Sequence, residues 1–122
     1  MKTGMPLVFI GCSMFILGLM LFYLINPGEN RNLEFKIKIE DVWDLWELQK
    51  GCCNLTGLSI ILPKGGNHEN VASLDRIDSS RGYIKDNIQW VHKDINRMKW
   101  DFPQDKFVKL CFYVANKHGF IN

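Results

Sequence analysis

SLDRIDSSRGYIKDNIQWVHKDINRMK, residues 73–99, is the stretch whose reading decides the fold. It reads as a strand over Ala72 to Ile77 that ends in two carboxylates, Asp75 and Asp78. A Gly-containing loop follows, then a second strand from Asn87 to His92, opened by an asparagine. The helix KDINRMKW closes the unit and carries another asparagine, Asn96. Trp90 and Val91 read as core residues of the second strand.

Working outward, Leu33 to Ile39 alternates as LEFKIKI, with Leu33, Phe35, Ile37 and Ile39 on one face, the period of a short strand. IEDVWDLWELQKG then sets Val42, Leu45, Trp46 and Gln49 at helical spacing. Its acidic residues come early and Lys50-Gly51 come last, matching the helix dipole and a glycine stop. Trp43 and Trp46 are expected in the core. Cys53-Asn54-Leu55-Thr56-Gly57 reads as a tight turn feeding a strand, LSIIL. PKGGNHEN, residues 63–70, reads as a polar loop. Beyond the central unit, Asp101-Phe102-Pro103 breaks the chain. QDKFVKLCFYVANKHG forms a last helix with Phe107, Leu110, Cys111 and Val114 as its apolar stripe and Gly119 at its end. There is no internal repeat and no low-complexity segment.

A chain of 122 residues suffices for one small domain plus an appendage. The net charge of +2 carries no nucleic-acid signal of its own, because Arg76, Arg81, Lys85, Lys93, Arg97 and Lys99 are interleaved with Asp75, Asp78, Asp86 and Asp94. The four cysteines show no disulfide or closed zinc spacing, and read as reduced thiols of a cytoplasmic domain. Residues 6–25, PLVFIGCSMFILGLMLFYLI, contain no charge and match the roughly 20 apolar residues that span a bilayer. No cleavage site follows in Asn26-Pro27-Gly28-Glu29, so the expectation is a transmembrane anchor and not a signal peptide. Arg31, Lys36 and Lys38 follow the run and only Lys2 precedes it, which puts the C-terminal domain in the cytoplasm by the positive-inside rule. The alternative is an apolar leader that is no true anchor, leaving the domain cytoplasmic. The expected division is an anchor and turn over 1–28 and a folded domain over 29–122.

The pattern SLDRID…GY…N-x-x-W-V…N-x-x-K resembles the HNH endonuclease family, especially short phage and mobile-element members. The likeness covers about Arg31 to His118. It implies an α+β fold with a ββα-metal core and flanking helices, here preceded by the transmembrane helix. Many members hold a structural zinc between two Cys-x-x-Cys pairs. The matching positions here are Cys53 with Thr56 and His92 with Ile95, so no structural zinc is expected.

The resemblance assigns roles residue by residue. Asp75 and Asn96 fall on the ligands of a divalent cation, Mg²⁺ or Mn²⁺, which takes oxygen donors and keeps several waters. Asn87 falls on the residue that tethers the loop. Lys99 falls on the closing basic residue, and with Arg81 and Arg97 is expected on the nucleic-acid backbone. Arg76 stands where the family has its general-base histidine. Arginine cannot accept a proton, but can hold a phosphate with two parallel hydrogen bonds. Asp78, on the same strand face if the strand continues, is the first substitute base; His92 and His68 come next, or a metal-bound hydroxide needing little help. The expectation is a metal-dependent endonuclease acting on DNA, with RNA as the alternative substrate, and attached to the membrane through residues 6–25. Two alternatives stand beside it: a catalytically inactive nucleic-acid-binding module, and a membrane-associated interaction protein.

Overall fold

The computed structural model describes residues 34–121. The expected anchor and its orientation lie outside the described residues. Among the described residues, no helix is long and apolar enough to cross a membrane.

The fold is α+β. Its elements are β1 (Phe35–Lys36), α1 (Ile39–Leu48), β2 (Ala72–Arg76), β3 (Tyr83–Ile84), a 3₁₀ turn (Lys85–Asn87), β4 (Ile88–His92), α2 (Lys93–Lys99) and α3 (Gln104–Lys117). β1 and β3 pair in parallel over two residues. β2 and β4 pair antiparallel, with Leu74 opposite Trp90 and Asp75 opposite Gln89. Side chains alternate across a strand, so this ladder has two distinct faces. One carries Ala72, Leu74 and Arg76 with His92, Trp90 and Ile88. The other carries Ser73 and Asp75 with Val91 and Gln89.

α1 begins where the Lys38 N–H donates to the Asp41 carboxylate (3.0 Å) and ends as Lys50 and Gly51 turn into positive φ. It packs on the Trp90 face. Trp46 meets Trp90 edge to face at 5.5 Å, and the Trp90 indole N–H donates to the Val42 carbonyl (3.0 Å). Gln49, on the same helix stripe, turns its amide onto the free edge of β4. Its Oε1 accepts from Trp90 N and its Nε2 donates to the Trp90 carbonyl, each at 2.8 Å. A side-chain amide thereby serves as a third strand for one residue. Trp90 and Val91 have no exposed surface, and Ile37, Val42, Ile60, Leu74 and Ile88 complete the core around them.

Three elements differ from expectation. LEFKIKI pairs only at Phe35–Lys36, because β3 offers two residues before the chain turns. LSIIL forms no ladder strand: it touches Cys52 through Ser59 and Val71 through Ile61, each partner following it for a single bridge. In α3, Phe107 is buried and Cys111 half-buried, while Leu110 and Val114 lie exposed. The row turned inward is Gln104, Phe107, Cys111 and Ala115, one step around the helix from the expected stripe.

Candidate functional site

The loop from Ile77 to Asp86 joins β2 to the start of β4, and Asn87 holds it from inside. Asn87 is 1 % exposed. Its Oδ1 accepts from the Asp78 N–H (2.9 Å), and its Nδ2 donates to the carbonyls of Asp78 (3.0 Å) and Gly82 (2.9 Å). Gly82 is buried where β3 meets β1. A Cβ there would fall on the Glu34 backbone, while the adjacent Tyr83 N–H donates to the Glu34 carbonyl (2.8 Å). The Gly-Tyr pair of the motif thus marks a close approach of two backbones. Ser79 Oγ donates to the Asp101 carbonyl (2.8 Å), fastening the loop tip to the start of the α3 connection.

Arg76 is committed to the same loop. Among the described residues its hydrogen bonds run through Nη1, to the carbonyls of Ser79 (2.9 Å) and Arg81 (3.0 Å), and its guanidinium lies 5.3 Å from the Tyr83 ring centre. β2 stops at Arg76, so Asp78 does not continue the strand face as expected. It sits in a turn, its Oδ1 accepting from Ser80 N (2.9 Å) and Ser80 Oγ (2.6 Å). The Ser80 hydroxyl, then the Ser80 N–H, hold the Asp78 carboxyl below its ordinary value. That makes Asp78 a weaker base.

Asp75 lies on the opposite face of β2 from Arg76, under α2, and is 6 % exposed. Its Oδ2 accepts from Lys99 Nζ (2.9 Å) and Gln89 Nε2 (2.9 Å). Lys99 has no exposed surface and also donates to the Arg76 carbonyl (2.8 Å). Gln89, itself buried, links the pair outward: its Nε2 also donates to Gln104 Oε1 (2.6 Å), and its Oε1 accepts from Asn54 Nδ2 (2.8 Å). Asn96, one turn before Lys99, turns its amide nitrogen to Ser73 Oγ (2.7 Å). Helix and strand therefore meet at two rungs, Asn96 on Ser73 and Lys99 on Asp75. Lys99 is enclosed in this contact and does not offer its ammonium at the surface.

The remaining candidates sit elsewhere. His92 caps α2, its Nδ1 accepting from Asp94 N (3.1 Å), which leaves the neutral ring's proton on Nε2. It stands three rungs from Asp75 and on the other face, about 10 Å along the strand. His68 lies in the 63–70 loop; its backbone carbonyl accepts from Lys93 Nζ (2.9 Å). Arg81 pairs with the Asp86 carboxylate at 3.1 Å, and Arg97 is exposed on α2.

Comparison with known proteins finds no matching family model, no matching curated protein and no matching solved structure. The chemistry is read from the site alone.

Whether Asp75 and Asn96 suit a divalent cation is decided by what already holds them. Mg²⁺ binds carboxylate oxygen at about 2.1 Å and retains several waters. Bound through Oδ2, the ion would lie no more than about 5 Å from the Lys99 ammonium, where repulsion amounts to several kcal/mol. No fully buried polar side-chain atom among the described residues lacks a partner, and the hydrogen bonds of Asp75 and Asn96 run through Oδ2 and Nδ2. As arranged, the Oδ2 side of Asp75 does not fit a divalent ion. Nor do three His, Cys, Asp or Glu side chains come together anywhere among the described residues.

At the knuckle position, Cys53 is 2 % exposed and its Sγ accepts from the His92 N–H (3.3 Å). Burial pushes the thiol up, but hydrogen bonds from the Thr56 hydroxyl and from the backbone of His92, Leu55 and Thr56 outweigh it, and the net shift is downward. The turn is closed by Gly57 N to the Cys53 carbonyl (2.8 Å).

Sequence reasoning missed Ser73, Gln89, Gln104 and Asn54. Gln89 carried a usable signal: it is a polar residue between Ile88 and Trp90 in a strand otherwise bound for the core, and a polar group placed there needs buried partners.

Proposed function

We propose that this chain is a nucleic-acid-binding module built on an HNH-like ββα core, which engages the phosphodiester backbone of DNA without cutting it. The observation that carries the reading is the commitment of Asp75: its Oδ2 is held by Lys99 and Gln89. Arg76 is a loop tie, Asp78 a turn cap and His92 a helix cap. Arg97 and Arg81 supply exposed positive charge on the α2 and loop side of the unit, suited to sequence-independent phosphate contact. The uncharged run 6–25 supports membrane attachment with the domain on the cytoplasmic side.

The test is fluorescence anisotropy of the full chain with a labelled duplex across a salt series. Binding that weakens linearly in log–log form, and loses about one unit of slope in Arg97→Ala, is the expected result. Salt-independent binding, or none, removes the reading in favour of a membrane-associated interaction protein.

A second reading, metal-dependent endonuclease, is favoured by a different observation. The strand–loop–strand–helix order brings Asn87 into the loop and sets Asp75 beneath the helix that carries Asn96. Plasmid nicking with Mg²⁺ or Mn²⁺, lost in both Asp75→Ala and Asn96→Ala, would establish it over binding alone.

A further inference from the structure

One arrangement plays no part in the binding reading: a lysine with no exposed surface, the seventh residue of a short helix, spent on a single buried carboxylate. A buried ammonium is costly unless it is paired and hydrogen-bonded. Here it is both, through Asp75 Oδ2 and the Arg76 carbonyl. The carboxylate in turn is charge-balanced by an ammonium 2.9 Å away and oriented by the Gln89 amide. We infer that Lys99 is the resident cation of this site: its ammonium occupies the position from which a divalent ion would balance Asp75, and the site takes no metal.

Three observations bear on this independently. The ammonium reaches Asp75 from the helix that also carries Asn96, so helix and strand are joined at the very carboxylate a metal would need. Asn96 donates its amide nitrogen to Ser73, two residues along β2 from Asp75, and so helps fix the helix. Gln89 is clamped between Asp75, Gln104 and Asn54, which fixes the Oδ2 side of the carboxylate on Lys99 and Gln89. A tethered cation also differs from a bound one in consequence. It cannot be chelated away, and it keeps the β2–α2 contact neutral at every metal concentration. Phosphate engagement by the exposed arginines then meets no uncompensated carboxylate, whether or not divalent ions are present. This last step rests on the nucleic-acid reading; the metal-free site does not.

The experiment is titration of the full chain with Mn²⁺, following free Mn²⁺ by its paramagnetic resonance signal, for wild type, Asp75→Asn, Lys99→Met and Lys99→Arg. The expected result is no Asp75-dependent Mn²⁺ uptake in wild type or Lys99→Arg. Lys99→Met removes the ammonium and keeps the stem, and is expected to gain Asp75-dependent affinity by about a hundredfold or more. Wild-type uptake abolished by Asp75→Asn overturns the inference. That arm decides the matter alone if Lys99→Met fails to fold. A parallel anisotropy measurement compares duplex binding in EDTA and in Mg²⁺, with the same screening loss expected in wild type and in Asp75→Asn. Absence of DNA binding in both, with Mn²⁺ uptake also absent, fails the nucleic-acid reading and leaves the resident cation standing.

Discussion

Replacing Asn87 by alanine tests how the loop is held. The substitution deletes three hydrogen bonds, to Asp78 N, to the Asp78 carbonyl and to the Gly82 carbonyl. Each is worth about 1 kcal/mol net when both partners can return to water. Asp78 lies at the surface and its backbone groups can do so. Gly82 is buried against Glu34, and its orphaned carbonyl adds a desolvation penalty of about 1–3 kcal/mol. With the two Asp78 bonds at about 1 kcal/mol each and the orphaned Gly82 carbonyl at about 1–3, the loss for Asn87→Ala is about 3–5 kcal/mol. Asn87→Asp keeps the acceptor for Asp78 N but points a carboxylate oxygen at two carbonyls, so at neutral pH it should be at least as damaging. The assay is urea unfolding followed by tryptophan fluorescence, which the buried Trp90 reports. An unchanged m-value with a lowered midpoint is expected. A loss under about 1 kcal/mol for Asn87→Ala, with Asn87→Asp no worse, would refute the claim that one side chain carries the loop.

Gly82→Ala should destabilise by about 1–3 kcal/mol and separate β1 from β3, visible as lost amide-exchange protection at Tyr83 while Trp90 stays protected. Cys53→Ala strands the His92 N–H and should cost about 1–3 kcal/mol in the same urea assay, with Cys53→Ser recovering part of it. Asp78 has a depressed folded-state pKa, so its stabilising contribution is present above the unfolded value and disappears as pH falls through the folded one. The stability difference between wild type and Asp78→Asn should thus hold constant from pH 7 to about 5 and shrink below about pH 4. A difference that grows on acidification would contradict the turn-cap assignment.

Legibility followed periodicity and failed where partners decide. α1, the β2–β4 pair and α2 were readable because each has an apolar rhythm bounded by turn or cap residues. LSIIL has the composition of a strand but no neighbour running beside it for more than one residue, and composition does not reveal partner length. The α3 stripe was placed one step off because the Asp101-Phe102-Pro103 connection, not the helix's own pattern, sets which side Phe107 presents inward. The site was legible in its layout and not in its pairings. Asn87 could be singled out from its position ahead of an apolar strand. That Arg76 and Asp75 face opposite sides of β2 follows from strand alternation, yet adjacency in sequence invited reading them as one dyad. Lys99 was the hardest, since a lysine in the last turn of a helix ordinarily favours the dipole and sits in water.

The length of α2 explains why the site cannot easily serve two purposes. Seven residues make two turns, well under the dozen or so that hold a helix in water unaided. Met98 is 61 % exposed and the following Trp100 69 %, so its outward side gains little from burial. What docks it is the half-buried Ile95 together with the two polar rungs, Asn96 on Ser73 and Lys99 on Asp75. A divalent ion on Asp75 Oδ2 would need the Lys99 rung released, loosening one of the two attachments. Metal uptake and helix docking therefore compete for the same atoms, and the short helix gives docking the advantage. The same competition locates the weak point of the binding reading. Arg97 projects from this helix, so any variant that releases Lys99 should disturb DNA affinity through helix undocking even where no phosphate touches residue 99. Comparing the salt slope in Lys99→Met with that in Arg97→Ala separates the cases: undocking weakens binding with the slope of wild type nearly kept, whereas loss of a phosphate contact lowers the slope itself.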